Sequence, residues 1–115
     1  MKAYNCSVGI VLAEKVLVAD VFYKRLKGLI GRKDFSFGEG LLIIPCKGVH
    51  TFWMRFAIDV LYLDSSYNLI HLVESMEPNK KGLMLDLAQS VLELPAGTIK
   101  STGTKVNNLI QFERG

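Results

Sequence analysis

The sequence has no long hydrophobic run, few cysteines, a single tryptophan and no block of like charge. Without roughly 18–20 consecutive apolar residues it contains no candidate membrane-spanning helix. Its two cysteines, Cys6 and Cys46, are too few for a disulfide framework, and the default state of each is a free thiol. A net charge of +3, from 14 basic and 11 acidic residues, is spread too thinly to give a clear nucleic-acid signal. Repeats, linkers and low-complexity tracts are also missing, which excludes solenoids and tethered modules. The stretch after Met1 lacks the apolar core of an export signal, since Glu14-Lys15 interrupts it. The expectation is therefore a cytoplasmic protein in which Cys6 is not a lipid-attachment site.

What is present is 115 residues, half of them hydrophobic and 22% charged, enough for one domain over residues 1–115 with a single core. Short runs rich in Val, Ile and Leu predict strands at Val8–Ala13, Val16–Ala19, Leu41–Ile44, Ile58–Leu63, Leu69–Val73, Val91–Leu94 and Val106–Phe112. Asp64-Ser65-Ser66-Tyr67-Asn68 has the turn chemistry of a hairpin loop. After Asp20, a helix N-cap by type, Phe22, Leu26 and Leu29 recur at helical spacing, which predicts one short amphipathic helix. The fold class expected is mainly β, a single-domain sandwich or rolled barrel of about six or more short strands with that helix.

Chemistry-bearing residues concentrate between Cys46 and Asp59. Cys46, His50 and Met54, four residues apart, are ligand types for Cu or Zn, or a thiol site. An extended strand would hold them about 13 Å apart, so only a tightly turned loop lets them share an ion. Cys46 with His50 as base, or Asp59 paired with Asp64 or Glu93, are the residue types of a hydrolase. No motif surrounds them that marks a catalytic set, so no catalytic residue is assigned. Phe52, Trp53 and Phe56 could form a stacking platform or anchor a core. Arg25 and Arg32 could clamp an anion or pair with carboxylates. Gly28-Leu29-Ile30-Gly31-Arg32 follows the predicted helix instead of opening one, which excludes a phosphate-binding loop, and no other motif implies a cofactor.

Three ordered blocks carry a resemblance: Arg25-Leu26-Lys27-Gly28-Leu29-Ile30-Gly31-Arg32, then Phe52-Trp53-Met54-Arg55 running into Ile58-Asp59-Val60, then Val91-Leu92-Glu93-Leu94-Pro95-Ala96-Gly97. Together they resemble the domain of unknown function 192 family over about residues 19–106. The resemblance implies a compact, mainly β domain with one short helix and no established biochemical activity. The blocks and the residue-level reading converge on Arg25, Arg32, Trp53, Met54 and Asp59, to which the residue-level reading adds His50. These residues are expected to line a polar and aromatic cleft of a binding module for a small anionic or sugar-like molecule. The competing expectation is an ion-pair network that ties helix to sheet beneath Trp53.

Overall fold

Apolar runs of strand length, separated by turn-forming residues, become strands in the computed structural model, which describes residues 1–19 and 32–114. The strands are β1 (Lys2–Asn5), β2 (Ile10–Ala13), β3 (Lys15–Ala19), β4 (Glu39–Ile43), β5 (Ile58–Leu63), β6 (Leu69–Met76), β7 (Ser90–Pro95) and β8 (Ile110–Glu113). A five-residue helix, α1, covers Thr98–Thr102. A small sheet has the order β2-β1-β8 and a larger one the order β3-β4-β7-β5-β6. β3 and β4 run parallel and the other neighbouring pairs antiparallel. A parallel pair cannot be joined by a tight turn, and the chain between Ala19 and Glu39 supplies the crossover. Neither sheet closes on itself, so the mainly β fold takes the sandwich form and not the rolled barrel.

β5 and β7 are buried at every position because the large sheet is covered on both faces. Strand alternation sorts their side chains. Leu42, Leu61, Leu63, Leu92 and Leu94 meet Ala3 and Leu12 of the small sheet, Ile110 of β8 and Ile99 of α1. Leu41, Ile43, Ile58, Val60, Tyr62 and Val91 point the other way, against Cys46, Val49, Met54, Leu85 and Ala88 from loops. Among the described residues, one face is thus closed by regular structure and the other by irregular chain.

The hairpin of β5 and β6 forms where the sequence predicts it. Asp64 Oδ1 accepts the N–H groups of Ser66 and Asn68, both at 2.9 Å, which fixes the turn. Other boundaries differ for local reasons. β1 precedes the first predicted strand and is missed, since four residues with one inward Ala and one inward Asn make no apolar run. The strand expected from Val8 starts at Ile10, because Asn5 Oδ1 takes the N–H groups of Ser7 and Val8 into a turn. The closing strand, expected from Val106, starts at Ile110; Asn107 is left-handed at φ 79° and Asn108 Oδ1 accepts the Lys105 N–H. The amphipathic helix expected after Asp20 lies outside the described residues. α1 is unanticipated: it follows Gly97 at φ 96° and shows no apolar periodicity to detect over five residues.

Candidate functional site

Residues 44–57 and 77–89 form loops that cover the second face of the large sheet. Thr51, fully buried, locks the first to the second. Its Oγ1 donates to the Glu77 carbonyl at 2.6 Å and accepts the Lys80 N–H at 2.8 Å. Its own N–H donates to the Lys80 carbonyl, and its carbonyl accepts the N–H groups of Asn79 and Met54. The Thr51-to-Met54 hydrogen bond closes a turn in which Trp53 sits at φ 65°. That left-handed conformation favours glycine, and a bulky side chain held there is strained. The Trp53 N–H is anchored on Asn79 Oδ1 at 3.1 Å, while the indole stands 69% exposed.

The aromatic rings of this turn touch one another. His50 stacks on Phe52 with ring centroids 4.7 Å apart, and Trp53 meets both edge-on at 6.2 and 6.1 Å. The Phe52 N–H donates to His50 Nδ1, leaving Nε2 to carry the proton of the neutral ring. Beside these rings lies a cavity of about 410 Å³, bounded by Cys46, Gly48, Val49, His50, Phe52, Gly82 and Met84, with Lys47 and Lys81 also in its wall. Its shape depends on two glycines. A Cβ on Gly48 would lie 2.5 Å from Met84 Sδ and 2.6 Å from the Leu83 carbonyl oxygen, and one on Gly82 would lie 2.8 Å from the Tyr62 hydroxyl. The loops therefore pack backbone against backbone. Tyr62 Oη reinforces this by donating to the Leu83 carbonyl at 2.8 Å. Burial raises the Tyr62 pKa, and the negative potential of Cys46 and Glu93 raises it further, so the phenol stays a donor.

The sequence-predicted residues do not all meet here. His50 and Trp53 share the aromatic turn, and Met54 is buried in the core beneath it. Arg32 lies elsewhere: its Nη2 bonds both oxygens of Glu39 at 3.0 and 2.9 Å, and it borders a separate cavity of about 120 Å³ with Phe35 and Leu41. Asp59 is fully buried on the opposite face of the sheet. Its Oδ1 accepts the Ser75 N–H and its Oδ2 the Ile99 N–H, both at 2.8 Å, so it binds a β6 bulge to α1. A single cleft holding Trp53, Arg32 and Asp59 is thus replaced by three separate places, because strand alternation turns Asp59 away from Val60 and Tyr62. Arg25 lies outside the described residues.

The Cys46, His50 and Met54 set is likewise divided among different partners. Cys46 Sγ donates to the Gly48 carbonyl, His50 Nδ1 is occupied, and Met54 packs in the core. Among the described residues no three His, Cys, Asp or Glu side chains gather closely enough to hold a metal ion. Asp59 is fully buried, and each of its oxygens accepts a backbone N–H, which ties it to the fold.

Residues 6–112 match the family model DUF192, described as Uncharacterized ACR. The chain belongs to the DUF192 family. It is 28% identical over 114 residues to a UPF0127 protein of Thermococcus sibiricus, covering 95% of this chain and 73% of that protein. It is also 28% identical over 115 residues to UPF0127 protein PF1050 of Pyrococcus furiosus, covering 96% and 97% of the two chains. Two solved structures share the fold. One is a protein of unknown function from Novosphingobium aromaticivorans, with a TM-score of 0.83, 16% identity, and 97% and 84% of the two chains covered. The other is a Sinorhizobium meliloti 1021 protein provisionally described as a transcription regulator, with a TM-score of 0.80, 20% identity, and coverage of 96% and 89%. Identities this low make the likeness one of fold.

Within this DUF192 chain, sequence reasoning misses the second loop as part of the site. Thr51, Asn79, Lys81, Gly82 and Met84 complete the cavity and its support. The one local signal was Pro78-Asn79-Lys80-Lys81-Gly82, a turn-rich stretch with a pair of cations. Its pairing with Thr51 spans 26–29 residues, a separation no local pattern encodes.

Proposed function

We propose that this protein is a binding module whose loop-face cavity takes a small anionic or sugar-like molecule. The observation that carries this reading is the rigid aromatic turn at the cavity: Trp53 is held exposed and left-handed by Thr51 and Asn79. Strain that a fold keeps at an exposed loop, instead of removing it with a glycine, is characteristic of ligand sites. The chemistry follows from the lining. His50 and Phe52 in the wall, with Trp53 edge-on against them, suit the apolar face of a sugar or planar acid, and Lys47 and Lys81 supply the positive charge for a carboxylate or phosphate. Lys47 Nζ is already positioned by the Asp86 and Ala88 carbonyls, which leaves Lys81 as the more adaptable cation.

Trp53 is the sole tryptophan, so its emission reports directly on this site. Titration with sugar phosphates, sugar acids and aromatic carboxylates is expected to give a saturable change in Trp53 emission for at least one class. Lys81→Glu should abolish that change without altering thermal stability. Trp53→Gly, followed by calorimetry, should remove binding while leaving stability within about 0.5 kcal/mol, since glycine relieves the positive φ. If no compound in the panel shifts the emission or raises the melting temperature, the reading fails.

A further inference from the structure

Five large apolar side chains protrude from the same two loops. Phe52 and Trp53 come from the first, and Leu83, Met84 and Leu87 from the second; Met84 is 67% exposed and Leu87 79%. They share one side of the molecule, because Thr51 and Asn79 join the loops at one end and Lys47 reaches the Asp86 and Ala88 carbonyls at the other. The flanking charge is asymmetric. Residues 44–57 and 77–89 contain Lys47, Arg55, Lys80 and Lys81 against Glu77 and Asp86. Arg55, Lys80 and Lys81 are exposed and form no ion pair among the described residues.

We infer that this side docks on an anionic lipid surface. Tryptophan, phenylalanine, leucine and methionine exposed on loops that also carry unpaired cations are suited to the headgroup boundary of a bilayer, where rings and aliphatic tips enter the apolar layer and cations meet phosphates. Two features favour lipid over other occupants. The side chains stand out from the loop tips, which suits insertion into a fluid layer, and Leu83, Met84 and Leu87 offer nothing to a nucleic-acid base beyond apolar contact. The loops are already locked by Thr51 and the close packing at Gly48, so docking orders little chain. The inference shares its loops with the binding reading but does not need a soluble ligand, and the cavity would open toward the membrane.

Sedimentation with phosphatidylcholine vesicles, with and without phosphatidylglycerol, tests it on the full chain. The protein should sediment with the anionic vesicles and remain in solution with the neutral ones, lose binding as salt rises, and show a blue-shifted Trp53 emission when bound. Lys80→Glu with Lys81→Glu should weaken partitioning by at least about 20-fold, the scale for two basic residues near an anionic surface. Leu83→Ser with Leu87→Ser, both exposed and therefore tolerable to the fold, should remove the emission shift and most of the binding. The inference is overturned if anionic vesicles are not bound, if neutral vesicles bind equally, or if the serine pair binds like the parent chain. Tighter binding to single-stranded RNA, with vesicles displaced, would also overturn it. Loss of the small-molecule response with vesicle binding intact would remove only the binding reading.

Discussion

The two faces of the large sheet are covered in opposite ways. On one side the small sheet and α1 lie over Leu42, Leu61, Leu63, Leu92 and Leu94, and the buried carboxylate there, Asp59, spends both oxygens on backbone N–H groups. On the other side loops cover Leu41, Ile43, Val60 and Tyr62, leaving a cavity, a strained tryptophan and a row of exposed apolar tips. Regular cover satisfies its own backbone and needs few special devices. Irregular cover must be tied down residue by residue, and the ties, Thr51, Asn79 and Tyr62, are what hold side chains in positions that packing alone would not choose. The difference lies in the ties and not in cavities, since the side of α1 also borders one of about 410 Å³.

The largest test of this contrast is Asp59→Ala. It would leave the Ser75 and Ile99 N–H groups without their acceptor, at a cost of about 2–4 kcal/mol. Chemical denaturation should show that loss, with the folded-state emission of Trp53 unchanged. A loss under about 1 kcal/mol would mean that Asp59 is not the clamp between β6 and α1. Gly48→Ala acts on the other face. The new methyl group would meet Met84 Sδ and the Leu83 carbonyl, so overpacking of about 1–3 kcal/mol is expected. Amide chemical shifts should move in residues 44–57 and 77–89 and stay fixed in β1, β2 and β8. Shifts spread evenly over both faces would contradict the separation.

The smallest expected effect is a pH dependence at neither core. The Ser36 N–H holds the Glu39 carboxyl below its ordinary value of 4.5, partial burial opposes this, and Arg32 adds to the lowering. With the folded pKa below the unfolded one, the contribution is fully present above about pH 4.5 and is lost as pH falls through the folded value. Glu39 is about one-third exposed, so solvent screens the pair and the effect is minor. Comparing acid unfolding of the parent chain with Glu39→Gln measures it: the variant should lose less stability between pH 5 and pH 3. Equal losses would show that the Glu39 carboxylate contributes no pH-dependent stability.

Much of the fold was legible in the residues. Ile58–Leu63 and the Asp64 turn appear where expected, because an apolar run and an Asx turn are made by neighbours in sequence. The same holds for the central strand at Val91–Leu94. β1 and α1 were not legible: four and five residues are too few for a period to show, and each exists because a distant partner receives it, β8 in one case and Asp59 in the other. For the site, the turn at His50 and Trp53 stood out by residue type, whereas its supports did not.

The sequence alone thus determined the class of the fold, its main strands and the segment richest in unusual side chains, since hydrophobic period and turn chemistry act over a few residues. Tertiary structure alone decided which of those side chains meet. Strand alternation sent Asp59 to one face and Tyr62 to the other, Arg32 found Glu39 at a different cavity, and Thr51 brought residues 77–80 beside Trp53. These outcomes depend on which surfaces pack together across the chain, and no local pattern carries that information.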